Sequence, residues 1–171
     1  MVKKPYQMII GLLMYVAITT WPDISFSVQQ LSQYMSNPGK QHWEATKQVL
    51  CYLKGTSNYS LILWGKEPVH LMGYMDSDWA NDPNQHCSIS GYLFTLGGGA
   101  VSWSSKKQQT VVVLSCEAEY MAASHCTKEA LWLRSLLDSL RITTPGPRML
   151  YCDNQGTISL TKDNVCQEQV F

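Results

Sequence analysis

The chain predicts an α/β fold: a mixed sheet of three antiparallel strands and a parallel fourth, joined by a crossover helix and preceded by a helical extension. Three observations predict it. Residues 114–140, LSCEAEYMAASHCTKEALWLRSLLDSL, repeat apolar positions at spacings of three and four. Short apolar runs flank this stretch on both sides, and a triple glycine divides the run before it into a hairpin.

The helical extension comes first. Lys3 and Lys4 followed by the apolar stretch from Met8 to Ile18 imitate the basic and hydrophobic parts of a secretory signal. This supports one alternative, a small secreted or membrane-associated protein using residues 1–20 as a signal. Against it, no small-x-small cleavage site follows and the stretch is too short to span a bilayer. Tyr6, Ile9, Ile10, Leu13, Met14 and Ala17 instead recur as on an amphipathic helix, which is the expectation. Pro22 fits the first turn of a second helix carrying Ile24, Val28, Leu31 and Met35, and Asn37-Pro38-Gly39 ends it. A third helix aligns Trp43, Thr46, Leu50 and Leu53 before Gly55 stops it. These stripes read as core or docking surface.

Domain boundaries follow: a helical part over 1–57, a linker over 58–69 and a sheet-bearing domain over 70–171. The first strand, His70-Leu71-Met72-Gly73-Tyr74-Met75, is closed by Asp76. A hairpin over 90–105 turns at Gly97-Gly98-Gly99, a further apolar run covers 111–114, and the long helix leads to Met149-Leu150-Tyr151-Cys152, closed by Asp153. A helical crossover can place this last strand parallel to the first, making Asp76 and Asp153 neighbours.

Glu119 lies on the helix stripe with Ala122, Cys126, Ala130, Leu133, Leu137 and Leu140. Glu117 falls roughly 200° round the axis, beside Ser124, Lys128, Ser135 and Asp138. A carboxylate facing a core is costly unless it is paired, protonated or bound to a metal. Ligand sites of such sheets favour the carboxyl ends of parallel strands, so a helix packed there brings Glu119 over Asp76 and Asp153. Three carboxylates form the hard-oxygen environment of Mg²⁺ or Mn²⁺. Asp78 reads as a turn-forming acid and Glu129 as a solvated partner of basic neighbours. Trp103, alternating with Val101, is expected in the core.

Composition narrows the function classes. Thirteen basic and thirteen acidic residues cancel, so nucleic-acid binding must rely on a local patch. Lys106-Lys107-Gln108-Gln109 is the one compact candidate near the proposed site, with Lys106 and Lys107 available to phosphates. The hydrophobic content of 45% fits a packed core and excludes general disorder. Cysteines at 51, 87, 116, 126, 152 and 166 include no C-x-x-C pair, so no disulfide partner or zinc scaffold is expected. The histidines at 42, 70, 86 and 125 show no metal-ligand spacing.

The runs YMDSDWA, SISGYLFTLGGGAVSWSSKKQ, LSCEAEYMAA, CTKEALWLRSLL and LYCDNQGTISL resemble, in order and spacing, the ribonuclease H region of copia-type retrotransposon Pol polyproteins. Upstream, LMYVAITTWPDISFSVQQLSQYMSNPGKQHWEATKQVLCYLKGT is similar to the segment joining reverse transcriptase to ribonuclease H. The resemblance implies a ribonuclease H-like domain over 70–171. It also implies cleavage of the RNA strand of RNA–DNA hybrids by two Mg²⁺ or Mn²⁺ ions held on Asp76, Glu119 and Asp153. Its implied partners are the hybrid and the rest of the Pol polyprotein, with no membrane. The implied location is intracellular, in the cytoplasm or nucleus.

Departures from the family pattern qualify that expectation. A final strand and a helix bearing a fourth carboxylate are expected to be missing, because the chain ends NVCQEQVF. Trp21 stands where the family has Arg, His86 and Cys87 replace a basic pair, Ile89 and Cys116 replace hydroxyl residues, and Gln167 and Gln169 stand where His and Arg are usual. The expected function is therefore a polyprotein fragment derived from ribonuclease H, weak or inactive as truncated. An active metal-dependent ribonuclease H is the alternative.

Overall fold

The computed structural model describes residues 5–63, 70–78, 87–108, 115–142, 149–156 and 158. The apolar run 111–114, residues 79–86, Lys3, Lys4, Gln167 and Gln169 lie outside them. Two compact units divide the chain, Met1–Leu61 and Ile62–Phe171.

In the first unit, α1 (Tyr6–Thr19) is followed by a 3-10 turn at Pro22–Ile24, α2 (Ser25–Ser32) and α3 (Lys40–Gly55). Pro22 stands at the opening of the turn, where its fixed φ suits the position and its missing N–H is not needed. Gly39 caps α3, its amide donating to His42 Nδ1 at 2.9 Å while the His42 ring stacks on Tyr34. Tyr6, Ile10, Leu13, Ala17, Ile24, Val28 and Leu31 form the core, on the spacing that the sequence shows. The Tyr6 hydroxyl donates to the Leu31 carbonyl at 2.8 Å, satisfying a buried acceptor at the end of α2. Thr46, fully buried, returns its hydroxyl to the His42 carbonyl at 2.8 Å. The α3 stripe differs from expectation at one position: Val49 packs inward and Leu50 is exposed, because the buried face drifts toward the i+3 side of Thr46. Met14 is likewise exposed. Among the described residues no helix is long and apolar enough to cross a membrane.

The second unit is α/β. A four-stranded sheet has the order β3-β2-β1-β4, built from β1 (Leu71–Asp78), β2 (Ile89–Leu96), β3 (Gly99–Lys107) and β4 (Met149–Tyr151). The first three strands pair antiparallel and β4 pairs parallel to β1, with Gly73 opposite Leu150 and Tyr74 opposite Tyr151. Between β3 and β4 runs α4 (Ser115–Ser139). Gly97 and Gly98 turn the hairpin with φ of 59° and 83°, values that side-chain-bearing residues rarely adopt. Strand β1 runs two residues past Asp76, so Asp78 pairs with Ile89 in the ladder instead of forming a turn.

One face of the sheet meets α4 around Leu71, Phe94, Cys126, Leu133 and Leu137. The α4 stripe holds from Glu119 to Leu137, while Leu140 lies beyond the last turn and is exposed. Trp103 is half-buried rather than core. Glu129 accepts a hydrogen bond from Ser102 of β3 at 2.6 Å, so its partner is a hydroxyl rather than a basic neighbour. At Gly73 a side chain would not fit: a Cβ there would lie 2.5 Å from Leu150 Cδ2 and 2.6 Å from Phe94 Cε1.

Candidate metal centre

Three elements contribute to the acidic end of the sheet. Helix α4 supplies Glu119 from its first turns, β1 supplies Asp76, and the segment leaving β4 supplies Cys152 and Asp153. Pairing of β1 with β4 ends at Tyr74 and Tyr151, whose rings stack at 5.1 Å, so both segments carry their acids past the end of the shared ladder.

Glu119 is only 6% exposed, and its Oε2 has no hydrogen-bond partner among the described residues. Burial first, then the charges of Asp76 and Asp153, pushes its carboxyl up to about 7 from an ordinary 4.5, with the Ser77 backbone N–H offsetting part of the rise. A buried oxygen without a donor costs free energy that a cation would remove. The oxygen donors of Glu119 and Asp153 and the thiol of Cys152 all lie within 4.8 Å of one another. Ligands on opposite sides of one divalent cation are about 4–5 Å apart, so this set fits a single ion.

Asp76 is not in that tight set. It is exposed with Tyr74, whereas Leu71, Gly73 and Ser77 of the same strand are buried, as alternation requires. Its Oδ1 accepts the Ser77 amide at 2.8 Å. Asp76 nevertheless lines, with Tyr74, Tyr151, Cys152 and Asp153, an open cleft of about 370 Å³, and its charge acts on both Glu119 and Cys152. The Cys152 thiol is pushed up, chiefly by burial; the backbone at Asn154 offsets part of this, and the charges of Glu119, Asp153 and Asp76 add to it.

Lys106 and Lys107 close β3 and line a different groove, of about 260 Å³, together with Tyr92, Met121 and His125. Their neighbour Gln108 is buried and not a surface contact. Its Nε2 donates to Ser90 Oγ at 2.8 Å and to the Ala118 carbonyl at 2.9 Å, tying the hairpin to the start of α4 one residue before Glu119. Cys152, beside Asp153, was not singled out in the sequence, and Gln108, placed there in the basic patch, is instead a buried tie. The signal for Cys152 was its place on the strand next to Asp153; for Gln108 there was none beyond its place after the hairpin.

Fold and site together define an α/β protein with a carboxylate cluster beyond the paired ends of two parallel strands. Over 165 residues, 96% of its length, the chain is 44% identical to the retrovirus-related Pol polyprotein from transposon TNT 1-94 of Nicotiana tabacum. It is 43% identical over 97% of its length to that from transposon RE2 of Arabidopsis thaliana. The chain belongs to the Pol polyproteins of copia-type, retrovirus-related transposons. It spans 12% and 11% of the lengths of those two relatives. A further relative, the secreted RxLR effector protein 161 of Plasmopara viticola, is 48% identical over 78% of this chain and 94% of its own. No protein-family profile and no solved structure matches the chain.

Proposed function

We propose that the second unit is a ribonuclease H-like part of the polyprotein, which binds divalent cations on Glu119, Asp153 and Asp76 and acts on the RNA strand of an RNA–DNA hybrid. The observation that carries this reading is the buried Glu119 carboxyl, whose Oε2 has no hydrogen-bond partner among the described residues and which offers an oxygen within 4.8 Å of one of Asp153. Bound there, Mg²⁺ or Mn²⁺ supplies activation of a water for in-line attack at phosphorus and neutralisation of the departing oxygen. The chain's own residues hold and orient. Glu119 comes from a helix fixed by the Gln108 tie, Asp153 from a segment just past the sheet, and Asp76 stands at the rim where a phosphate backbone would approach. Lys106 and Lys107 offer a second, cationic contact to the hybrid along their own groove. The helical unit, in this reading, is the connection to reverse transcriptase and carries no activity, and the hybrid is met in the cytoplasm or nucleus.

A second reading draws on Asp76. Its exposure, its bond to the Ser77 amide and its place outside the tight donor set favour a scaffold that holds a cation with little or no turnover. Cleavage of a labelled hybrid in Mg²⁺, Mn²⁺ or EDTA separates the two. Metal-dependent cleavage abolished by Asp76→Asn is the result the first reading expects. A folded, cation-binding sample that leaves the hybrid intact would sink it and leave the second.

A further inference from the structure

The tightest donor set in the described residues is not three carboxylates but two carboxylates and a thiol, Glu119, Asp153 and Cys152. Two observations make it a built site. Glu119 is more than nine-tenths buried, and its unpartnered Oε2 belongs to the residue at the inner end of the set. Cys152 is half-buried, and the contact its Sγ makes among the described residues is a long 3.9 Å one to the Asn154 carbonyl, weak enough for the sulfur to turn to a cation. Asp76 remains outside, held by the Ser77 amide.

Sulfur changes which ion the set prefers. Magnesium and manganese gain little from a thiolate, whereas zinc and cadmium bind it strongly and accept three protein ligands with one position open. We propose that Cys152 makes this pocket a mixed oxygen–sulfur site for a thiophilic divalent cation, Zn²⁺ or Cd²⁺, ligated by Glu119 Oε2, Asp153 and the Cys152 thiolate. On binding, the thiol proton passes to solvent and the sulfur–metal bond replaces the S–H bond. Because Glu119 and Asp153 serve both ions, Zn²⁺ excludes the oxygen-preferring cation and acts as an inhibitor. That inhibitory consequence rests on the ribonuclease reading; the binding does not.

The test is a Cd²⁺ titration of the full chain followed by the thiolate-to-cadmium charge-transfer absorption, with Mn²⁺ affinity measured on the same samples by electron paramagnetic resonance of the free ion. Cys152→Ser is expected to remove the band and weaken Cd²⁺ binding at least about tenfold, the scale of losing a metal-site partner, while Mn²⁺ affinity stays within about threefold. Glu119→Gln should weaken both ions. Cys51→Ser and Cys166→Ser should change neither. Cys152→Ala provides a second variant if the serine form does not fold. A band that persists in a folded Cys152 variant, or equal losses for Cd²⁺ and Mn²⁺, overturns the inference. Cys152-dependent cadmium binding without hybrid cleavage would reject the ribonuclease reading alone. Cleavage with a Cys152-independent band would reject this one alone.

Discussion

The helical unit and the sheet unit handle buried polar groups differently. Among the described residues of the helical unit the buried side chains are apolar but for two hydroxyls, both satisfied: Tyr6 donates to Leu31 and Thr46 one turn back to His42. In the sheet unit Ser77, Ser88, Ser90, Gln108 and Glu119 are all buried. Partnerless polar atoms follow the same division: Gln29 has one in the helical unit, while Ser77, Thr95, Gln108 and Glu119 have theirs in the sheet unit. Unsatisfied burial is thus concentrated in the sheet unit. A core assembled from neighbouring helical turns can be apolar throughout, whereas a site needs desolvated polar groups that something other than the protein will satisfy.

The largest expected effect tests whether the two cores are separate. Phe94, 1% exposed at the centre of the sheet core, should cost about 3–5 kcal/mol when replaced by Ala. Hydrogen exchange should accelerate at β2 amides and not at α1 amides; equal acceleration in both would break the comparison.

Next in size is Glu119→Gln without cations. The folded-state pKa of about 7 lies above the ordinary 4.5, so the native protein holds this proton more tightly than the unfolded chain. Stability is then lost as pH rises from about 4.5 to about 7. The Gln variant should exceed the parent by about 1–3 kcal/mol at pH 8 and by nothing below pH 4. Urea unfolding in EDTA at pH 4, 6 and 8 reads this, and a pH-independent difference would refute it. Saturating Mn²⁺ should offset most or all of that difference, stabilising the parent by about 2.7 kcal/mol at one hundred times its dissociation constant.

Smaller effects belong to the helical unit. Tyr6→Phe removes the hydroxyl donated to Leu31 and should cost about 1 kcal/mol with no change in cation affinity. Lys47→Ala breaks the i,i+3 pair with Glu44 on the surface of α3 and should cost less than about 0.5 kcal/mol. A loss from Lys47→Ala as large as that from Tyr6→Phe would mean that surface charge matters here more than buried polar contacts.

Periodicity made much of this fold legible. The α4 stripe, the inward Glu119, the Gly97-Gly98 turn and the parallel return of β4 all follow from spacing and turn chemistry. Strand ends were less legible. A run of residues does not reveal where pairing stops, so Asp78 read as a turn although it pairs with Ile89. Alternation, which a short run shows only faintly, sets Asp76 with exposed Tyr74 and outside the 4.8 Å donor set, while it still lines the cleft with Asp153. Cys152 read as a strand residue because nothing in composition tells that β4 ends at Tyr151 and releases the thiol toward Glu119. Gln108 read as part of a basic surface, since a buried amide that ties hairpin to helix looks, in sequence, like any polar residue after a strand.

Gly73 has a consequence for thermodynamics. Among the described residues three positions of β4 pair in the ladder, and Leu150 reaches over the bare α-carbon of Gly73 toward Phe94. Local opening of these pairs would carry Asp153 and Cys152 away from Glu119. If the proposed site holds an ion, docking of β4 and capture of that ion form one linked equilibrium. The apparent affinity for any cation is the intrinsic affinity scaled by the docked population, and the ion in turn clamps the strand.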